Sequence, residues 1–226
     1  MSTLAVFFLV IVAPILAVCL AWLGWSTLPY NWLGWLLLFI GVGYPLGGLG
    51  YGILRKRAFW RSTQQGKVAS EERSDRSFWL ILPGFLLVFF ASPLEFLYFP
   101  SFLPRSPWLQ AAGGCLFVLG VALRNWTRRH LRIQYSGHLE VQVEHRLVQS
   151  GPYRFIRHPG YTGFLAMALG IALGYSSLAG ILAVPAVLLP GLVYRIKVEE
   201  KLLVGRFGEE YTRYASRTWR LMPGIW

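Results

Sequence analysis

Charge is scarce in this chain. Of 226 residues only 14% are Asp, Glu, Lys or Arg, against roughly 25% in an ordinary soluble domain, while 55% are hydrophobic. That excludes a typical soluble enzyme and points to a chain that lives in lipid. Cysteine is nearly absent: Cys19 and Cys115 both lie in apolar runs, so there is no disulfide framework. No Lys or Arg precedes the first apolar run, and Val18 stands where a lipoprotein cleavage site would want a small residue, so the run is read as a span and not as a leader. A nucleotide loop is missing too. Gly41-Val42-Gly43 follows no strand and lies inside a span, which removes the dinucleotide-binding reading. No long repeat, low-complexity tract or metal-ligating set is found.

What the chain has is long apolar helix. Crossing a bilayer takes about 20 helical residues, and runs of that order occupy Leu4 to Trp25, Trp32 to Leu54, Phe78 to Phe99 and Trp108 to Trp126. Two more follow, Tyr161 to Tyr175 and Leu178 to Val198, the first of them short. They are read as a tight hairpin broken at Gly174 to Ser177. The expected fold is therefore an all-α integral membrane protein of five to six transmembrane helices, the last two a helical hairpin, with a cytoplasmic cofactor-binding loop and a C-terminal amphipathic helix.

The net charge of +12 would suggest nucleic acid if it were spread out, but it is clustered. Lys and Arg number seven in residues 55–77, seven in 124–160 and seven in 195–226; Arg105 completes the 22. With six crossings, or a re-entrant final hairpin, all three clusters fall on one face, and the positive-inside rule makes that face, with both termini, cytoplasmic. The basic excess reads as topology and attraction to anionic membrane lipids, with no nucleic acid as partner.

The halves differ. Residues 1–123 read as a transmembrane scaffold with the basic connector 55–77. Gly43 and Gly47, and Gly48 and Gly52, are spaced for close helix packing, and Glu95 near a span end reads as a solvated or snorkelling carboxylate. Residues 124–226 read as the catalytic part. Between Arg124 and Pro159 the chain leaves the membrane in an ordered loop without a long helix, with "LEVQVEHRLV" a short extended segment, and a loop this long is more often functional than idle.

In "GPYRFIRHPGYTG" (151–163), Gly151-Pro152 makes a turn and Pro159 starts the next helix, so Arg157 and His158 stand at a helix N-terminus, an anion-friendly position. The plainer reading is that Arg154 and Arg157 mark the inner face, with Tyr153 and Tyr161 as interfacial aromatics. In "YRIKVEEKLL" Arg195 and Glu199 share a helix face while Glu200 turns aside; the plainer reading is a surface pair. In "FGEEYTRY" Phe207, Tyr211 and Tyr214 form a stripe suited to a membrane surface.

"HRLV" (145–148), "SGPYRFIRHPGYTG" (150–163), "RIKVEE" (195–200), "FGEEYTRY" (207–214) and the ending "RLMPGIW" together resemble the isoprenylcysteine carboxyl methyltransferase family, within a wider group that includes phospholipid N-methyltransferases. The resemblance covers roughly the last 100 residues. It implies an integral membrane enzyme that binds S-adenosylmethionine in its C-terminal loop and hairpin. It further implies that His145, Leu147 and Val148 line the adenosine end of the cofactor, largely through backbone. Tyr153, His158, Pro159 and Tyr161 would wrap the remainder, Glu199 would meet its polar groups, and Arg195 would bind the acceptor carboxylate. An upstream glutamine of the family falls on Gln134, His138 or Gln142, which remain alternatives.

Methyl transfer from a sulfonium needs positioning more than acid–base chemistry, because a carboxylate acceptor is already ionised at neutral pH. An amine acceptor would need a base, with Glu199, Glu200 or His158 available. The apolar hairpin suggests a lipophilic acceptor entering from the bilayer. An NADPH-dependent sterol-type reductase and a non-enzymatic membrane protein are the other readings. The compact size looks like a prokaryotic inner-membrane member.

Overall fold

The computed structural model describes residues 13–27, 30–41, 43, 78–100, 102–131 and 147–226. Seven helices are described: α1 (Ala13–Leu23), α2 (Tyr30–Gly41), α3 (Phe78–Tyr98), α4 (Pro107–Leu131), α5 (Pro159–Gly174), α6 (Leu178–Phe207) and α7 (Glu209–Ala215). Among the described residues there is no strand, and the one β pairing is a bridge between Ile156 and Trp219. α4 and α6 are long and apolar enough to cross a membrane. Their apolar side chains are not all covered by protein: Val118, Leu119 and Leu182 are exposed, as expected where lipid is the solvent. The basic connector 55–77, His145, Gln134, His138 and Gln142 lie outside the described residues.

α5 lies antiparallel against α4 because glycines on both helices remove the side chains that would hold them apart. A Cβ on Gly113 would sit 2.6 Å from the Gly170 carbonyl oxygen, and one on Gly120 would sit 2.6 Å from that of Gly163; the reverse substitutions meet the same obstacle at 2.7 Å. This is small-residue packing of the kind membrane helices use; of the four glycines expected to pack in this way, only Gly43 is among the described residues. A Cβ on Gly43 would meet nothing within 4 Å, and Gly47, Gly48 and Gly52 lie outside the described residues.

The predicted hairpin is present. α5 ends at Gly174, Tyr175 to Ser177 make the turn, and α6 begins at Leu178. The turn is buried, so its amides need partners inside the protein, and Glu95 provides them. Its carboxylate accepts from Ser177 Oγ (2.6 Å), Ala179 N (2.9 Å) and Leu178 N (3.2 Å), while Ser177 Oγ accepts from Gly180 N at 2.9 Å. Glu95 is 9% exposed. The expected solvated carboxylate is therefore corrected to a buried helix cap, carried in by α3.

Two other expectations change. α4 runs on past Arg124 to Leu131, so the chain leaves the helix later than the loop reading placed it; the predicted extended segment lies mostly outside the described residues. The stripe of Phe207, Tyr211 and Tyr214 does not form one surface helix. Gly208 takes φ +53 and breaks it, leaving Phe207 at the end of α6. Tyr211 and Tyr214, 2% and 7% exposed, face the protein and not a membrane surface.

Candidate active site

Pro159 sits in the first turn of α5, where its fixed φ suits a helix start and its missing N–H costs nothing. His158 is the residue before it; its carbonyl accepts from Tyr161 N and Thr162 N. This start brings Tyr161 across from the polar end of α6. Arg195 Nε donates to the Tyr161 hydroxyl at 2.7 Å, and that hydroxyl donates to Glu199 Oε2 at 2.9 Å. One phenol thus holds a cation and a carboxylate that are four residues apart on α6. Arg195 is 8% exposed, so the pair is not the surface ion pair of the plainer reading.

Glu200 is the residue the sequence reading misplaced. It does not turn aside. Its carboxylate receives Arg157 Nε at 2.9 Å on one oxygen and Arg220 Nε at 2.9 Å on the other. The His158 ring lies between the two glutamates, with Nδ1 3.8 Å from Glu199 and Nε2 3.5 Å from Glu200; it is offset-stacked on Tyr161 with centroids 5.7 Å apart. Glu200 stands 22 residues into α6, about 33 Å along the axis and so beyond a hydrocarbon core of about 30 Å. Burial alone would push its carboxyl up, but the adjoining His158 ring and the hydrogen bonds from Arg220 and Arg157 outweigh burial and hold it down at about 2.

The network ties the C-terminal tail to the start of α5. The Arg157 guanidinium also donates to the carbonyls of Ala215 and Thr218, and its amide donates to Trp219 O at 2.7 Å. His158 N donates to Arg220 O, and Thr162 Oγ1 to Leu221 O at 2.6 Å. Arg157 is thereby committed to the protein and is not a free anion ligand at a helix start. Tyr214 hydroxyl donates to Tyr153 O at 2.8 Å, and burial pushes the Tyr214 phenol up to about 12, keeping it a donor.

Of the residues expected at the site, the structure gathers His158, Pro159, Tyr161, Arg195 and Glu199. Leu147, Val148 and Tyr153 stand apart on the approach to the turn, all half-buried, with Tyr153 tied to α7. Glu200, Arg157 and Arg220 join the gathered residues: the sequence offers Glu200 only as a possible base and Arg157 only as a helix-start cation, and it does not point to Arg220. The available signal was two adjacent glutamates in a chain with only 10 acidic residues.

An apolar cleft of about 80 Å³ lies between α2, α3, α4 and α5. Phe85, Phe89, Phe164 and Met167 line it, with Arg124 among them. Arg124 donates to Gly160 O at 2.9 Å, which ties the cleft's one charged residue to the first turn of α5.

Residues 108–210 match the phospholipid methyltransferase family model. Curated relatives include protein-S-isoprenylcysteine O-methyltransferase B of Arabidopsis thaliana, 29% identical over 61% of this chain and 73% of that protein. The protein-S-isoprenylcysteine O-methyltransferase of Schizosaccharomyces pombe is 34% identical over 57% of this chain and 56% of the relative, and a probable one of Oryza sativa is 38% identical over 42% and 47%. The match thus spans only about half the length of the latter two relatives. All three are eukaryotic, and none supports the expectation of a prokaryotic inner-membrane protein. The fold is similar to that of a solved eukaryotic intramembrane Ras methyltransferase, isoprenylcysteine carboxyl methyltransferase, with TM-score 0.54 and 22% identity over 99% of this chain and 86% of that one. The chain is therefore similar, over its C-terminal part, to the phospholipid methyltransferase family model and to isoprenylcysteine O-methyltransferases, and its fold is that of the solved intramembrane methyltransferase.

Proposed function

We propose that this protein is an S-adenosylmethionine-dependent methyltransferase that esterifies the carboxylate of a lipophilic, prenylcysteine-like acceptor. The observation that carries the reading is the Tyr161 hydroxyl joining a largely buried Arg195 to Glu199. The donor set fits both ligands. A cation suits the acceptor carboxylate, and a carboxylate with 30% of its side chain exposed suits a positively charged cofactor.

When bound, S-adenosylmethionine supplies an electrophilic methyl group. The protein's part is to hold the acceptor for in-line attack. Arg195 fixes the carboxylate, and Tyr161 fixes Arg195. Glu199, held by the same hydroxyl, faces the cofactor's positive charge. No residue need remove a proton, because the acceptor is ionised at neutral pH. Leu147, Val148 and Tyr153 would cover the adenosine end, a role the resemblance also gives to His145, and His158 and Pro159 would back the pocket. The acceptor's apolar chain would enter from the bilayer and lie against lipid.

The reading includes the finer architecture: a scaffold of residues 1–123, a catalytic part of 124–226, five to six crossings, and termini and site on the cytoplasmic face, where the positive-inside rule would put the three basic clusters of the sequence. The phospholipid methyltransferase match favours, as a second reading, an amine acceptor with Glu199 as base. Calorimetric titration of the detergent-solubilised protein with S-adenosylhomocysteine tests the cofactor, with NADPH alongside. Saturable binding of the former, lost in Glu199→Ala, is expected; binding of NADPH alone would overturn the assignment.

A further inference from the structure

A second polar cleft, of about 540 Å³, lies away from the Tyr161 bridge, between the 149–154 turn and α7. Arg154, Arg213 and Arg217 line it with Glu210, Gln149 and Thr218. Three guanidinium groups against one carboxylate leave an excess of two positive charges, and none of the three arginines has an ion-pair partner among the described residues. The volume lies within the range of about 300 to 1,000 Å³ typical of small-ligand sites.

Apolar surface adjoins it. The chain on either side of the cleft runs as two short bonded segments: Trp219 N donates to Phe155 O, and Arg157 N to Trp219 O. Arg154 is therefore followed by Phe155, and Arg217 and Thr218 by Trp219, the two rings being 58% and 46% exposed. Exposed aromatics beside exposed arginines are what a protein presents at the boundary between hydrocarbon and headgroup. Arg154 and α7 hold their places through partly buried contacts that do not involve these arginines' charges, Tyr214 hydroxyl to Tyr153 O and Arg157 to the Ala215 carbonyl. The cleft is thus pre-formed.

We propose that this cleft binds the phosphate of an anionic phospholipid headgroup, with Arg154, Arg213 and Arg217 as its ligands and Phe155 and Trp219 resting against the acyl boundary. Planar guanidinium groups suit phosphate oxygens, and the surplus positive charge selects anionic over zwitterionic lipid.

The full-length protein in nonionic detergent is titrated with phosphatidylglycerol and, separately, with phosphatidylcholine, and the retained lipid is counted by native mass spectrometry. One phosphatidylglycerol should be retained in preference to phosphatidylcholine. At a few-fold per arginine near a charged surface, the R154Q/R213Q/R217Q variant should retain it about a hundredfold more weakly. Glu210→Gln should tighten it about fivefold by the same reasoning, which keeps the proposal testable if the triple variant misfolds. Equal retention by wild type, E210Q and the triple variant would overturn the proposal. So would displacement of the lipid by millimolar inorganic phosphate, which would make free phosphate the ligand. A triple variant that keeps its lipid but loses S-adenosylhomocysteine would also overturn it, by making the cleft the seat of the cofactor's carboxylate.

Discussion

Replacing Glu200 with glutamine removes the charge that holds the C-terminal tail against the start of α5. Arg157 and Glu200 side chains are 8% and 12% exposed, so breaking this pair leaves a buried cation without its anion, a defect that costs about 3 to 5 kcal/mol where nothing else holds the charge. Here Arg157 also donates to the Ala215 and Thr218 carbonyls, and Arg220 is a third exposed and can turn to water. About 2 kcal/mol is the net expectation, a roughly 30-fold rise in the open population of the tail. Trypsin reads this directly, because Arg217 and Arg220 lie in the tail and are cut only when it lifts. The E200Q protein in detergent should lose its C-terminal fragment about 30 times faster than wild type, with α4 and α6 intact. A rate within twofold of wild type would refute the account of the network. Acid should mimic the substitution. The Glu200 carboxyl is held at about 2, below its ordinary value of 4.5. Its contribution is therefore full above pH 5 and fades as pH falls from 4.5 toward 2. Hydrogen exchange in residues 217–226, corrected for the intrinsic rate, should rise over that window; protection that instead falls with increasing pH would contradict the assignment.

Three other perturbations follow from the geometry. Tyr161→Phe removes the hydroxyl that joins Arg195 to Glu199, and loss of hydrogen bonds to charged groups, about 1.5 to 3 kcal/mol, should lower kcat/KM for methyl-ester formation between 10- and 100-fold. Glu95→Ala strips three donors at the start of α6 of their acceptor, so thermal unfolding in detergent should report a loss of about 1 to 3 kcal/mol. Gly170→Ala drives a Cβ to 2.7 Å from the Gly113 carbonyl, whereas Gly114→Ala meets its nearest neighbour at 3.4 Å; the first should destabilise by about 1 to 3 kcal/mol and the second should be close to neutral.

The elements that were legible in the sequence are those marked by local chemistry. Pro159 and the Gly174 to Ser177 break announced the start of α5 and the hairpin turn, because proline and glycine act on their own backbone. Arg195 and Glu199 were legible as a face because helical spacing is fixed. Long-range pairing was not. Glu200 is about 100° around the helix from Glu199, and nothing local shows that Arg220, 20 residues on, returns to meet it. The stripe of Tyr211 and Tyr214 revealed one face of a helix, but periodicity does not say whether protein or lipid covers that face. Glycine spacing had the same limit. It marked Gly43 as a packing site, while the close approach belongs to Gly113, Gly120, Gly163 and Gly170, seven apart on each of two helices. Glu95 was misread because a carboxylate near a span end looks solvated until the turn above it is known.

The most direct test of the central claim is transfer of labelled methyl from S-adenosylmethionine by wild type, Arg195→Lys and Arg195→Ala in lipid nanodiscs. Each is offered a farnesylcysteine analogue with a free carboxylate, its carboxamide, and phosphatidylethanolamine. Base-labile methyl ester formed on the free carboxylate alone, strongly reduced in both variants while S-adenosylhomocysteine still binds, is the predicted result. Methylation of the phosphatidylethanolamine amine, or ester formation indifferent to Arg195, would contradict the account.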